Sequence, residues 1–210
     1  MAEESIFIES GGPRLEGLIH YSQGPKAVVV SHPHPFYGGD MFNNVVESIL
    51  NAYQGRGYTT LRFNFRGVGQ SGGTHDGGIS EQEDVRSCLE HVAGLGKTDI
   101  DLGGYSFGSW VNCLGLGSYA QVKRMIMISP PVNFLEFSFL RYDARIQLVI
   151  AGSEDDIAPP AMIERVLPVW NAEALLEVIE GADHFYWDKT GEIEEIIGRF
   201  LDSTHKPVRE

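Results

Sequence analysis

The sequence predicts an α/β domain with a twisted, mostly parallel sheet and helices on both of its faces. Two observations lead to this fold class. Short strand-like runs alternate with helical stretches along most of the chain, an order that implies parallel pairing through right-handed crossovers. Several of the runs, such as "AVVVS" at residues 27–31 and "IQLVIAG" at 146–152, are continuously apolar, which is typical of strands buried on both faces.

Eight strands and five helices are expected from these patterns. The strands are "SIFIES" (5–10), "LEGLIHY" (15–21), "AVVVS" (27–31), "TTLRFNF" (59–65), "IDLGGY" (100–105), "RMIMIS" (124–129), "IQLVIAG" (146–152) and "LLEVIE" (175–180). The first two alternate in polarity and predict an antiparallel hairpin across "GGP" at residues 11–13. The helices cover residues 44–56, 80–95, 106–116, 161–169 and 192–201, and Ser80 with Glu83 predicts a capping box at the second.

Composition limits the class of protein. With 210 residues, 42% hydrophobic and 21% charged, the chain is expected to form one soluble domain over residues 1–210. Its formal net charge of −13 repels phosphate backbones and anionic lipids, so neither nucleic acid nor a membrane surface is an expected partner. No secretory signal or long apolar run is recognisable, and two cysteines, Cys88 and Cys113, do not suggest a disulfide framework. These features favour a cytoplasmic protein and leave its oligomeric state open.

The stretch "DLGGYSFGSW" (101–110) places Ser106 where a strand stops and a helix begins. In open α/β sheets ligands bind at the carboxyl ends of the strands, so this turn is expected at the site. The pentapeptide "GYSFG" matches Gly-x-Ser-x-Gly, a turn so tight that its glycines prevent collision while the serine hydroxyl projects from the sheet. The alternative is a glycine-rich turn with an incidental capping serine. Whether a base and an acid follow at other strand ends decides between the two.

Two further strand-end loops supply that base and that acid. The loop after residues 146–152 contains Asp155 and Asp156, and the loop after the last strand contains His184. Ser, Asp, His is the chain order that this architecture uses for a catalytic triad, in which the imidazole removes the serine proton and the carboxylate orients the imidazole. His205 is a less favoured base, because it follows the last helix in a polar tail.

Five stretches resemble the α/β-hydrolase superfamily, in particular its small bacterial members with little or no lid that are similar to dienelactone hydrolase and to the hydrolase domain of dipeptidyl peptidases. They are "SHPHPFYGGDMFNN" (31–44), "LRFNFRGVGQSGG" (61–73), "GYSFG" (104–108), "GSEDDIAPP" (152–160) and "GADHFYW" (181–187). The resemblance covers nearly the whole chain and implies an α/β-hydrolase fold. It also implies Ser106 as nucleophile, His184 as base and Asp155 as acid, with Asp156 as the fallback.

The same resemblance implies two backbone donors for the oxyanion of a tetrahedral intermediate. One is the N–H of Phe107, directly after the nucleophile, and the other comes from the loop after the third strand. Aligning residues 34–38 with the family pattern His-Gly-aromatic-x-Gly nominates the N–H of Phe36. The duplicated His-Pro pair of this chain permits a second register, in which His34 is the donor.

A short segment, residues 131–145, stands where many relatives insert a lid, so we expect one short helix over the site and no cap domain. Phe134 in this segment is expected to line an apolar pocket together with His34, Tyr37 and Tyr186. The alternative is that these rings pack into the core of the domain. A poorly covered pocket of this kind suits small or short-chain acyl groups.

The combined observations favour a serine hydrolase that works through an acyl-enzyme, most simply a carboxylesterase or thioesterase with a small-molecule ester or thioester as substrate. Amidase or peptidase activity, and a non-catalytic binding module of the same fold, remain as alternatives. Dehalogenation is disfavoured, because dehalogenases of this fold carry aspartate in place of Ser106. His32 and His34 near Asp40 lack a further ligand cluster, so no metal and no cofactor is expected.

Overall fold

An eight-stranded sheet runs through the computed structural model, which describes residues 3–9 and 12–204. The strands are β1 (Glu4–Ile8), β2 (Leu15–His20), β3 (Lys26–Ser31), β4 (Thr59–Phe63), β5 (Asp99–Tyr105), β6 (Val122–Ile128), β7 (Ile146–Gly152) and β8 (Leu175–Ile179). Their order across the sheet is β1-β2-β4-β3-β5-β6-β7-β8. The β1–β2 and β2–β4 pairs are antiparallel and the other pairs are parallel, which confirms the predicted sheet and its N-terminal hairpin. Gly11, in the predicted hairpin turn, lies outside the described residues.

Five helices connect these strands: α1 (Asn44–Gln54), α2 (Glu81–Gly94), α3 (Phe107–Gly115), α4 (Pro160–Asn171) and α5 (Thr190–Thr204). Each face of the sheet carries its own buried apolar layer. In β3, Val29 belongs to one layer and Val28 and Val30 to the other, as the two-residue period of a strand requires. Helices α2, α3 and α4 contribute to the first layer, and α1 and α5 to the second. The prediction of helices on both faces is therefore confirmed.

The predicted capping box at α2 is wrong. Ser80 has helical backbone angles, φ −81° and ψ −20°, and its side chain makes no capping hydrogen bond to the helix. Its hydroxyl and its N–H both bind the carboxylate of Asp76 instead, which holds the preceding loop against the helix. The carboxylate of Glu83 lies 3.3 Å from Arg86 rather than reaching back to Ser80. A residue in the helical region cannot turn its side chain onto the first free N–H groups, so the motif does not form.

The segment between β6 and β7 forms turns where the sequence suggested a short helix. The N–H groups of Phe134 and Leu135 both donate to the carbonyl of Pro131, at 3.0 and 2.9 Å. Phe137 and Leu140, further along, are buried in the apolar core, so this segment is anchored to the domain by its own side chains. The expectation of a minimal lid is confirmed, and Phe134 within this segment is 69% exposed.

None of the helices in the part of the chain that the structure describes has the length and apolarity needed to cross a bilayer. Cys88 and Cys113 are both buried and unpaired with each other. Burial raises the pKa of both thiols, so they remain protonated within the apolar core.

Candidate active site

Ser106 stands between the end of β5 and the first residue of α3. Its backbone angles are φ 52° and ψ −118°, a region that residues with a side chain rarely occupy. Its N–H donates to the carbonyl of Ile128 at 2.9 Å, which ties the turn to the end of the neighbouring strand β6. The strained conformation holds the hydroxyl at the carboxyl edge of the sheet.

The two glycines that flank this turn are required by close backbone contacts. A Cβ atom on Gly104 would lie 2.7 Å from the backbone nitrogen of Ser109, and one on Gly108 would lie 2.4 Å from the carbonyl oxygen of Ser31. Because both neighbours are backbone atoms, they cannot move aside as the end of a side chain can. The absence of side chains at these positions lets α3 start directly against the sheet.

His184 connects the hydroxyl of Ser106 to the carboxylate of Asp155. Its Nε2 lies 2.9 Å from Ser106 Oγ, and its Nδ1 lies 2.9 and 3.0 Å from the two carboxylate oxygens of Asp155. All three residues are buried: Ser106 is 8% exposed, His184 7% and Asp155 2%. Asp155, and not the neighbouring Asp156, is the acid that contacts the imidazole. His205, the other candidate base, lies outside the described residues.

The carboxylate of Asp155 is held by several donors besides His184. The N–H groups of Ile157 and Ala158 donate to its Oδ1 at 2.9 and 2.8 Å, within the turn that follows β7. Burial alone would raise the pKa of this carboxyl, but hydrogen bonds from His184, Ser129 and Ala158 outweigh burial and hold the pKa below its usual value. Asp155 is therefore ionised and fixed in place, as an acid that orients an imidazole must be.

The loop after β3 contains both candidates for the second oxyanion donor, the N–H groups of Phe36 and His34. The N–H of Phe36 donates to the imidazole Nδ1 of His34 at 3.2 Å, so this amide is already engaged, and the ring of Phe36 is 76% exposed. The N–H of His34 itself has no hydrogen-bond partner among residues 3–9 and 12–204. The N–H of Phe107 is the first of α3 and therefore has no carbonyl partner within that helix. The backbone N–H groups of Phe107 and His34 are therefore available as donors, whereas that of Phe36 is already hydrogen-bonded.

Comparison with known proteins extends this picture. No family model matches the chain. An uncharacterized protein of Rickettsia prowazekii is 32% identical over 209 residues, which span 93% of this chain and 87% of that protein. Among solved structures, an α/β serine hydrolase homologue from Coxiella burnetii is 32% identical with a TM-score of 0.87, over 96% of this chain and 98% of that one. The chain belongs to the α/β-hydrolase superfamily.

Two further solved structures resemble this hydrolase over almost their whole length. A putative α/β hydrolase from Agrobacterium tumefaciens is 31% identical with a TM-score of 0.88 and covers 96% of both chains. An α/β serine hydrolase without a lid from Xanthomonas campestris is 27% identical with a TM-score of 0.89, over 99% of this chain and 97% of that one. The small lid-poor architecture is thus shared with proteins of similar size.

His32 supports the hydrolase's loop after β3 from inside the domain. Its Nε2 accepts the N–H of Phe65 at 3.0 Å, and its Nδ1 lies 2.7 Å from the carbonyl oxygen of Pro33, to which it donates. Burial lowers the pKa of this imidazole to about 4, so it is neutral at physiological pH. With both nitrogens engaged, His32 has no lone pair left for a metal ion. No group of three or more potential metal-ligating residues comes together within the described ranges.

The hydrolase's Ser106–His184–Asp155 contact is supported by Tyr105 and Ser129, which sequence reasoning did not single out, and by Tyr186, which it had placed in the pocket. The hydroxyl of Tyr105 donates to the backbone carbonyl of His184 at 2.6 Å. The hydroxyl groups of Tyr186 and Ser129 lie 2.6 Å apart, and the Ser129 side chain helps to lower the pKa of the Asp155 carboxyl. Tyr105 precedes the nucleophile and Ser129 directly follows β6, so position at a strand end was the signal available for finding them.

A cavity of about 540 Å³ opens beside Ser106 and His184. Its remaining walls are mostly apolar or aromatic: Pro33, His34, Tyr37, Gly38, Gly39, Asn43, Tyr105, Phe107, Pro131, Phe134, Leu135, Ile157 and Phe185. His34, Tyr37 and Phe134 thus line the cavity of this hydrolase, as the sequence suggested. Tyr186 does not, because it is fully buried in the core with its hydroxyl on Ser129, and Phe185 takes the place expected for it.

Proposed function

We propose that this hydrolase is a serine carboxylesterase that forms an acyl-enzyme on Ser106. The observation that carries the proposal is the contact of His184 Nε2 with Ser106 Oγ at 2.9 Å, while the opposite ring nitrogen of His184 contacts Asp155. A serine hydroxyl becomes a nucleophile when a positioned base takes its proton, and the base is effective when a third group fixes its tautomer. In this proposal the nucleophile, the base and the third group are Ser106, His184 and Asp155, each of which follows the end of a different strand.

In the first half of the reaction, the ester carbonyl carbon is attacked by Ser106 Oγ while His184 Nε2 accepts the hydroxyl proton. The carbonyl electron pair moves onto oxygen, and Asp155 stabilises the imidazolium that results. The tetrahedral intermediate collapses, the bond to the alcohol breaks, and the leaving oxygen takes the proton from His184. A water molecule then repeats these steps on the acyl-enzyme, which releases the carboxylic acid and restores the serine hydroxyl.

The developing oxyanion is assigned to the N–H groups of Phe107 and His34. Phe107 begins α3, so its N–H lies at the positive end of the helix dipole. His34 has an unengaged N–H within the described part of the chain, whereas the N–H of Phe36 is used by the His34 imidazole. The register with His34 as second donor therefore replaces the register with Phe36. Asp155, rather than Asp156, is the triad acid in this proposal.

Carboxylic esters with small or short-chain acyl groups suit this site best. The cavity measures about 540 Å³ and opens past the turns of residues 131–140, which leave Phe134 exposed. A chain longer than the cavity would extend into water and gain little from burial. Esters of short acids with an activated alcohol are therefore the first substrates to examine.

The test combines covalent labelling with turnover. Wild-type protein and Ser106→Ala are treated with a fluorophosphonate, and the adduct is located by mass spectrometry of peptides. We expect one adduct on Ser106, loss of p-nitrophenyl butanoate hydrolysis in the labelled protein, and a fall in kcat of roughly 10⁵-fold in Ser106→Ala. A folded wild-type protein that forms no adduct and hydrolyses no ester in a broad panel would instead be a binding module of this fold.

A further inference from the structure

The cavity beside Ser106 is lined by His184, His34 and otherwise by side chains that are uncharged at neutral pH. Among the described residues that line it, none is Lys, Arg, Asp or Glu. The other histidine of the lining, His34, accepts a hydrogen bond from Phe36 at Nδ1 and so is neutral, and burial also lowers its pKa. A substrate group that enters this cavity meets aromatic and aliphatic side chains and no counter-charge.

Acidic residues, without any Lys or Arg, supply the charges of the loops that form the cavity. The cavity lining comes from segments 33–43, 105–110, 131–136, 153–158 and 183–188, which contain seven carboxylates but no Lys or Arg. The carboxylates are Asp40, Glu136, Glu154, Asp155, Asp156, Asp183 and Asp188. The field around the mouth of the site therefore has the same sign as the net charge of −13 of the whole chain.

The basic residues nearest to these loops already have partners. Lys189, directly after the last segment, has its ammonium 3.0 Å from a carboxylate oxygen of Glu192. Arg141 donates to the carbonyl of Ser138, within the turns between β6 and β7. The guanidinium of Arg66, in the loop after β4, lies 2.6 Å from a carboxylate oxygen of Asp84. Arg141 is the one of these three without a carboxylate partner, but it does not line the cavity, so none of the three offers a charge to an anionic group inside it.

From this arrangement, and resting on the esterase activity proposed above, we infer that the site selects esters whose acyl and alcohol groups are both uncharged. A carboxylate or phosphate would lose its hydration in an apolar cavity without gaining a counter-ion, and the surrounding carboxylates would repel it. Half-esters of dicarboxylic acids whose free carboxylate would lie inside the cavity are therefore expected to be poor substrates. An uncharged acyl group of the same size gains burial against Phe107, Phe134 and Leu135.

A matched pair of substrates isolates charge from size. The p-nitrophenyl ester of 6-oxoheptanoic acid is neutral, and the mono-p-nitrophenyl ester of adipic acid has a carboxylate where the first has a methyl ketone. Both release the same phenolate, and Ser106→Ala supplies the background rate. We expect kcat/KM for the neutral ester to be at least about tenfold higher at low salt, with the ratio narrowing in 0.5 M NaCl as repulsion is screened. Equal kcat/KM values, or a preference for the adipate ester, would overturn the inference.

A pair of variants at the cavity mouth tests the cause of the selectivity. Phe134 is 69% exposed, so Phe134→Lys and Phe134→Met place side chains of similar length in the same position, with and without a positive charge. The adipate to oxoheptanoate ratio of kcat/KM should rise about tenfold in the lysine variant relative to the methionine variant. Because the two esters are compared within each variant, any loss of activity that affects both esters equally cancels from the ratio. An equal ratio in the lysine and methionine variants would contradict an electrostatic origin of the selectivity. Turnover of neither ester by wild-type protein, with no adduct on Ser106, would overturn the proposed function and the selectivity with it.

Discussion

The hydroxyl oxygen of Ser129 lies 2.6 Å from the phenolic oxygen of Tyr186, and the same serine side chain helps to lower the pKa of the Asp155 carboxyl. Ser129 has a backbone φ of 44°, an unusual value for a residue with a Cβ, although it is fully buried at the end of β6. A conformation that costs free energy is thus maintained at a residue whose hydroxyl contacts Tyr186 and helps to keep ionised the acid that contacts His184.

The variants Ser129→Ala and Ser129→Gly distinguish the effect of the Ser129 hydroxyl from the effect of its strained backbone. Both remove the hydroxyl that contacts Tyr186 and helps to keep Asp155 ionised, and we expect kcat/KM for p-nitrophenyl butanoate to fall about tenfold in each. Glycine accepts a positive φ without strain, so Ser129→Gly should be about 1 kcal/mol more stable than Ser129→Ala in urea unfolding. Full activity in the alanine variant, or equal stability of the two, would contradict this account.

Tyr105→Phe tests whether the phenol positions His184. The lost bond joins Tyr105 Oη to the backbone carbonyl of His184, so the base should be less well held and kcat should fall several-fold. Tyr119→Phe is a matched control, because the Tyr119 hydroxyl donates to the carbonyl of Gln82 at 2.8 Å from an equally buried ring remote from the cavity. Both variants should lose about 1 kcal/mol of stability. An equal effect on kcat would show that Tyr105 acts through stability alone.

His32 should make the stability of the protein pH-dependent. Its pKa is about 4 in the folded state, below the usual histidine value of 6.5, so the unfolded chain binds the proton more tightly. Stability from this residue is fully present above pH 6.5 and is lost as the pH falls toward 4, by about 3 kcal/mol in all.

The comparison for this prediction is His32→Gln, which does not titrate and whose amide oxygen can accept the N–H of Phe65. Urea unfolding of both proteins between pH 4 and pH 7 gives the difference in their free energies of unfolding. That difference should shrink by about 3 kcal/mol toward pH 4. A difference that stays constant with pH would mean that His32 is not the titrating group.

Gly108→Ala should disrupt the turn that presents Ser106. The added methyl group would meet the carbonyl oxygen of Ser31 at 2.4 Å, which forces α3 away from β3 and costs about 3 kcal/mol. Gly94→Ala, at the last residue of α2, meets no atom within 4 Å and should be neutral or slightly stabilising. Thermal unfolding distinguishes the two, and similar melting temperatures would refute the steric explanation.

The fold was predictable because its strands are buried on both faces. The run at residues 146–152 coincides with β7, since a continuous apolar stretch bounded by polar residues leaves few other possibilities. Ser80 at the start of α2 shows where such patterns fail. Capping depends on the backbone angles of one residue, Ser80. Ser80 is bound by the carboxylate of Asp76, a residue that is not part of the capping-box motif.

The candidate site was predictable to the level of loops, because parallel strands bring their carboxyl ends to one edge. Individual roles within a loop were less accessible. Asp155 and Asp156 differ only in which side of a turn they face, and the Phe36 N–H is occupied because the His34 imidazole turns a lone pair toward it. Tyr186 has a φ of 55°, which directs its ring into the core and leaves Phe185 at the cavity. Backbone angles of this kind are set by tertiary contacts rather than by residue type.

The turns between β6 and β7 have a consequence for how the enzyme meets its substrate. They are anchored in the core by Phe137 and Leu140, so the entrance past Phe134 needs no large rearrangement before catalysis. The initial rate should then follow a simple hyperbola in dissolved ester concentration, with no jump when the ester begins to form micelles.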